Sequence, residues 1–150
     1  PPFLVAFTIN IIMGQRLVRK ICEHCKKEYT LEKDQIRELE KIADIRKLIP
    51  LLKENNAELK TQEKNLKSMV FYHGEGCRRC GKSGYKGRVG IYEVLDVDQK
   101  LTQMINANAN AKDIKEYTKM AGMITMLEDG LIKAKLGITT IEEVLRVTRD

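Results

Sequence analysis

The chain has 150 residues, of which 43% are hydrophobic and 32% charged, and carries a formal net charge of +6. That is enough for one ordinary domain or two very small ones, with a modest core and a soluble surface. Only 5% of residues are aromatic and Trp is absent, which excludes an aromatic-rich core and leaves Leu, Ile, Val and Met to fill it.

The first apolar run, Phe3 to Met13, spans 11 residues and is interrupted by Thr8 and Asn10. A membrane-spanning helix needs about 20. Arg16, Arg19 and Lys20 follow the run, whereas a secretory signal puts its charges first. The run predicts a buried helix or strand. With no export signal, the expected setting is the cytoplasm, where thiols stay reduced. A start at Pro1 rather than Met implies a segment of something longer.

Gln15 to Ile21 reads as a basic-amphipathic turn that leads directly into Cys22-Glu23-His24-Cys25. From Leu31 to Ile49, Ile36, Leu39, Ile42, Ala43 and Ile49 recur at helical steps, and Pro50 is expected to end that helix. Residues 51 to 67 are polar, with Leu52, Leu59 and Leu66 seven apart, and read as a solvated helical hairpin rather than a coiled-coil seam. Residues 31 to 69 carry nine basic and eight acidic side chains, a poor balance for gripping nucleic acid.

Met69 to Tyr72 reads as a strand, and Arg88 to Leu95 as another with Val89, Ile91 and Glu93 on one face. Asp98 is a candidate cap for a helix over Gln99 to Ala107, and a second helix follows over Ala111 to Ala121, ended by Gly122. Thr125-Met126-Leu127-Glu128 and Thr140-Ile141-Glu142-Glu143 are capping-box patterns that open two more, the first closed by Gly137. The fold class expected is α+β and mainly helical: a small tetracysteine zinc-knuckle subdomain with short strands and a helical insertion, then a C-terminal helical bundle.

Between the two strands lies Gly76-Cys77-Arg78-Arg79-Cys80-Gly81-Lys82-Ser83, which spells both a phosphate-binding loop and a C-x-x-C pair. A phosphate loop requires a helix that starts at its lysine, so that backbone N–H groups converge on the anion. Here Gly84, Gly87 and Gly90 follow in a β-rich run, and glycine costs about 1 kcal/mol per helical position. The metal reading has independent support, because all four cysteines fall in two C-x-x-C pairs, Cys22/Cys25 and Cys77/Cys80. Two residues between ligands let both sulfurs of a turn face one ion, and two such turns complete a tetrahedral, coordinatively closed site with a structural role.

Buried free thiols and a redox dithiol are the other readings of these cysteines, and His24 is an alternative ligand. The gap of 51 residues between pairs makes the charged stretch an insertion closed at its base. Residues 15 to 30 carry five basic and two acidic side chains and residues 77 to 88 five and none, a surplus of +8 around the cysteines. The surplus reads as a solvated basic surface, as a nucleic-acid face, or as compensation for a tetrathiolate zinc centre, which is formally −2. No grouping of catalytic Ser, His and Asp or paired carboxylates has convincing spacing.

Three segments, QRLVRKICEHC (15 to 25), FYHGEGCRRCGKSGYKGRVGIYEVL (71 to 95) and DGLIKAKLGITTIEEVLRV (129 to 147), together resemble the C-terminal part of the type II secretion and type IV pilus assembly ATPases. The resemblance implies a hexameric, cytoplasmic, RecA-like ATPase that is peripheral to the inner membrane and works on a platform protein there. It implies zinc at Cys22, Cys25, Cys77 and Cys80. It also implies three parts: the end of a RecA-like core at 1–21, a tetracysteine zinc-binding subdomain at 22–95 with its insertion at 31–69, and a helical subdomain at 96–150. The family's phosphate loop, Mg²⁺ motif and histidine box would lie upstream of Pro1. ATP and Mg²⁺ therefore belong to the parent protein, and this chain alone is expected not to hydrolyse ATP. Cut there, residues 3 to 13 should expose apolar surface, with self-association or a disordered N-terminus as the result. The partners implied are the upstream core, neighbouring subunits and the platform protein. Arg16 or Arg19 could reach a nucleotide or a neighbour, although a solvated or salt-bridged arginine is the simpler reading. The competing function is a free-standing zinc module that binds nucleic acid through Arg78, Arg79, Lys82, Lys86, Arg88 and Tyr85. A chaperone-like zinc domain is a third, without the repeated C-x-x-C-x-G-x-G units such domains show.

Overall fold

A computed structural model describes residues 2–55 and 65–149. In chain order the elements are α1 (Pro2–Thr8), β1 (Ile11–Ile21), β2 (Lys26–Thr30), α2 (Lys33–Ile42), α3 (Ile45–Glu54), β3 (Val70–Gly74), β4 (Tyr85–Asp96), α4 (Gln99–Asn106), α5 (Ala111–Met120), α6 (Met126–Lys135) and α7 (Ile141–Thr148). Among the described residues the fold is thus α+β, with β1 paired to β4 and β2 to β3. No helix of the described residues is long and apolar enough to cross a membrane.

The chain divides into two compact units, Pro1–Gln15 with Tyr92–Met126, and Arg16–Ile91 with Leu127–Asp150. The division falls inside β1 and β4, with α4 and α5 in the unit of the N-terminal segment and α6 and α7 in the unit of the cysteines.

In the first unit α1 packs on α4. Asp98 caps α4 as expected, its carboxylate accepting the Leu101 N–H at 2.8 Å, and the Tyr117 hydroxyl donates to the same carboxyl group. Of the two expectations for residues 3 to 13, a buried element is corrected and an exposed apolar surface is borne out. Ala6 is buried, but Leu4, Phe7, Ile11, Ile12 and Met13 are exposed, Phe7 by 74%. A seven-residue helix and one edge of a two-stranded ribbon offer too little partner surface within this unit to cover them.

The second unit holds the main apolar cluster, which joins Leu39 of α2, Leu48 and Leu52 of α3, Met69, Phe71 of β3, Leu131 and Ala134 of α6, and Val144 and Leu145 of α7. The helical period over 31–49 is real, but it belongs to two helices. The break falls at Ala43-Asp44, where the Asp44 carboxylate caps α3 by accepting the Arg46 N–H at 3.0 Å. Pro50, expected to end the helix, sits inside α3. It forfeits one backbone hydrogen bond, while Leu48 and Leu52 on either side of it are each 1% exposed and anchor the helix to the core. The solvated hairpin expected over 51–67 is corrected at both ends, because Leu52 and Leu66 are core residues. Leu59 lies outside the described residues.

Strands β2 and β3 pair antiparallel from Lys26↔Gly74 to Thr30↔Val70, with Tyr29 opposite Phe71. This five-residue ladder starts one residue after Cys25 and ends where the insertion begins, so it forms the stem between the cysteines and the helices of the insertion. In β4, Val89, Ile91, Glu93 and Leu95 alternate with the exposed Arg88, Tyr92 and Val94, as the sequence pattern predicts.

Helices α6 and α7 meet at Gly130, where a Cβ would lie 2.5 Å from Val144 Cγ1 and 3.0 Å from Cγ2. Gly130→Ala should therefore cost about 1–3 kcal/mol, the usual penalty of overpacking a filled core. Val144→Ala in the same chain should recover part of it. Urea denaturation of both variants measures this, and a single substitution without effect would show that the helices can separate freely.

Candidate metal centre

The first cysteine turn follows β1, and the Cys25 N–H donates to the Cys22 carbonyl at 3.2 Å. The second is a 3-10 turn over Arg78–Cys80, closed by Cys80 N–H and Lys82 N–H, which both donate to the Cys77 carbonyl at 3.3 and 2.8 Å. After Ser83 the chain enters β4, not a helix. Backbone hydrogen bonds tie the two turns together, with Cys22 N–H on the Gly84 carbonyl at 2.9 Å and Glu75 N–H on the Cys25 carbonyl at 3.0 Å. Gly84 has φ +79°, and a Cβ there would meet the Gly74 carbonyl oxygen at 2.4 Å, so any side chain would push the two backbones apart.

These turns bring together sulfurs that are 55 residues apart. Cys22 Sγ lies 3.9 Å from Cys77 Sγ, Cys25 Sγ 3.9 Å from Cys80 Sγ, and Cys77 Sγ 3.7 Å from Cys80 Sγ. All four lie within 4.8 Å of one another. A disulfide would require about 2.05 Å, and all four thiols are free. Bonds of about 2.3 Å from zinc to sulfur, arranged tetrahedrally, give sulfur separations of about 3.8 Å. The four side chains therefore fit a zinc ion. When bound, the ion would cross-link the two turns and neutralise their thiolates.

The surroundings suit thiolate ligands. The Cys77 and Gly84 N–H groups approach Cys80 Sγ at 3.1 and 3.3 Å. These amides, Cys77 foremost, hold the Cys80 thiol down at about 6 against burial. Burial pushes Cys25 up to about 12 even though the Gly76 amide is aimed at it. Four neighbouring sulfurs cannot all ionise without a cation among them, and a divalent metal supplies that charge. His24, the alternative ligand, is exposed, and its Nε2 lies 2.9 Å from Arg79 Nη1, outside the sulfur cluster. His73 packs edge-on to Tyr29 with centroids 5.5 Å apart.

A second constellation lies in the same unit, and the sequence reading missed it. Glu143, read as half of a capping box, is buried to 2% exposure. The other half is as expected, with Thr140 Oγ1 accepting the Glu143 N–H at 3.2 Å. The Glu143 carboxylate is instead occupied by arginines. Oε1 accepts from Arg19 Nη2 at 2.8 Å and Arg146 Nε at 2.9 Å, and Oε2 accepts from the Arg19 backbone N–H and Arg146 Nη2, both at 2.8 Å. The Arg19 guanidinium also lies 4.1 Å from the centre of the Tyr85 ring, and Tyr85 Oη is 3.0 Å from Thr140 Oγ1. Burial works to raise the Glu143 pKa, but the Arg146 and Arg19 hydrogen bonds outweigh it and hold the group at about 2. Of the two arginines considered for nucleotide contact, Arg19 is thus salt-bridged and Arg16 donates to the Val147 carbonyl. An arginine and an acid 124 residues apart leave no periodic signal; the available hint was an acid amid the apolar residues of α7.

The sequence of residues 1–146 matches the family model described as "Type II/IV secretion system protein". The chain belongs to that family. Similar proteins include the type IV pilus assembly ATPase PilB of Thermus thermophilus, 39% identical over 147 residues that cover 98% of this chain and 14% of that protein. PilB of Pseudomonas aeruginosa is 39% identical over 150 residues, 100% of this chain and 23% of that one. The type II secretion system ATPase E of Vibrio cholerae is 34% identical over 149 residues, 99% and 25%. This family member therefore spans a quarter or less of the length of these relatives, and the cysteine cluster and the Glu143 network both fall within the matched residues.

Proposed function

We propose that this chain is a zinc-stabilised, non-catalytic module of a hexameric ATPase that powers type IV pilus assembly or type II secretion. The observation that carries the reading is the convergence of the Cys22, Cys25, Cys77 and Cys80 sulfurs within 4.8 Å of one another in a member of this family. A four-thiolate site is coordinatively closed, so its role is to fix the two turns and the β2–β3 stem, not to activate water. Nucleotide chemistry belongs to the longer protein, since Gly76–Ser83 supplies cysteine ligands and a tight turn. The module acts in the cytoplasm, against the ATPase core, neighbouring subunits and, through the assembled machine, an inner-membrane platform protein.

Protein expressed with ample zinc should contain one zinc per chain and show no ATP turnover above buffer. Metal well below stoichiometric amounts would remove the zinc, and measurable hydrolysis would remove the non-catalytic role. The basic segment at 77–88 makes nucleic acid the natural competitor. Phosphate-dominated binding weakens steeply with salt, and a titration at low salt should show no such salt-sensitive affinity for DNA or RNA.

A further inference from the structure

Away from the sulfurs, the second unit contains a cleft of about 500 Å³ lined by Leu17, Val18, Arg19, Arg88 and Arg146. Three arginines around one hollow repel each other unless something anionic is held among them. Glu143 answers two of them from below, as each of its oxygens accepts two N–H groups from Arg19 and Arg146. That still leaves three positive charges against one negative, a surplus of +2. Among the described residues the Arg88 side chain has no ion pair or hydrogen bond, and Arg19 Nη1 and Arg146 Nη1 have no acceptor.

The arrangement is also preorganised. Arg19 is clamped between the Glu143 carboxylate and the Tyr85 ring, and Arg146 is held by two bonds to the same carboxylate, yet their side chains remain 49% and 55% exposed. Guanidinium forks fixed in this way, with unused N–H groups, match the oxygens of tetrahedral and planar oxyanions at little ordering cost. A carboxylate would cancel only half the surplus, whereas a phosphate monoester carries about −1.5 to −2 near neutral pH. The volume falls in the range of small-molecule sites, about 300–1,000 Å³, and Leu17 and Val18 give it an apolar side.

We propose that Arg19, Arg88 and Arg146 form a binding site for a phosphoryl dianion, with Glu143 as the buried counter-charge that sets two of the three guanidiniums. Arg88 closes over the anion. The ligand chemistry is shared by free phosphate and a small phosphate monoester, and the test separates them.

The zinc-loaded 150-residue chain would be titrated with inorganic phosphate, phenyl phosphate and acetate while the arginine Nε–Hε NMR signals are followed. Saturable shifts at Arg19, Arg88 and Arg146 are expected with the phosphates, with acetate at least about tenfold weaker. Tighter binding of phenyl phosphate assigns an ester, and equal binding assigns free phosphate. Arg88→Gln leaves Glu143 fully paired, so the fold is preserved, and it should weaken phosphate about tenfold or more, the scale of one lost charge-assisted contact. Arg78→Gln removes the same charge from the cysteine turn and should change affinity less than about twofold. Absence of saturation, equal binding of acetate, or equal losses in the two variants would overturn the site.

Discussion

Stripping the metal with a strong chelator, or replacing Cys77 with serine, should unfold the cysteine turns while the leucine core survives. Structural zinc sites supply on the order of 10 kcal/mol of folding free energy, comparable with the whole stability of a typical domain, about 5–15 kcal/mol. Apart from the burial of Cys22 and Cys25 and the backbone hydrogen bonds between and within the turns, little else holds them. Cys77 and Cys80 are only partly buried, and none of the four cysteines belongs to the main apolar cluster. Without an ion, their sulfurs would face each other at 3.7–3.9 Å with no bond between them. The expected result is selective loss of dispersed amide signals for residues 22–25 and 74–86. Signals of Leu39, Leu48, Leu131 and Val144 should remain, because their contacts run through the helices. Zinc should restore the lost signals in the wild type and fail to do so in Cys77→Ser. A serine variant with unchanged spectrum and melting temperature would show that hydrogen bonds alone hold the turns.

That contrast between turns and core marks what could be read from the sequence. The cysteine pairs were legible because metal ligation demands particular residue types at short spacing, and the structure brings all four sulfurs together as expected. Helix caps were legible at Asp98 and Thr140 because a cap is a local bond between neighbouring residues. Pro50 misled, since its cost is local while the packing of Leu48 and Leu52 that offsets it is tertiary. The burial of Leu52 and Leu66 was hidden for the same reason: a seven-residue step in a polar stretch gives no indication of which core it reaches. Glu143 was hidden most completely. Its partners come from β1 and from the next turn of its own helix, and the more distant lies 124 positions away.

Glu143→Ala should lower stability by about 2–4 kcal/mol. Breaking a fully buried ion pair costs about 3–5 kcal/mol, because a charge is left without a partner. The loss here falls lower because Arg19 and Arg146 are about half exposed and can regain water. The Arg19 backbone N–H also loses its acceptor, which adds to the cost. Glu143→Gln keeps the shape and should cost less, and its pH dependence isolates the charge. The Glu143 pKa is held at about 2 against an ordinary 4.5, so the folded carboxylate resists protonation. Its contribution is therefore full above about pH 4.5 and disappears as the pH falls through about 2. The linkage value of that shift is about 3 kcal/mol at most, discounted to about 2 kcal/mol for the half-exposed arginines. Wild-type stability should thus fall toward that of Glu143→Gln between pH 4.5 and 2, and the gap at neutral pH should appear as a melting temperature about 4–8 °C lower in the variant. Parallel stability curves across that acid window would mean that the arginines do not depend on the charge of Glu143, and the buried counter-ion would then be only a packing residue.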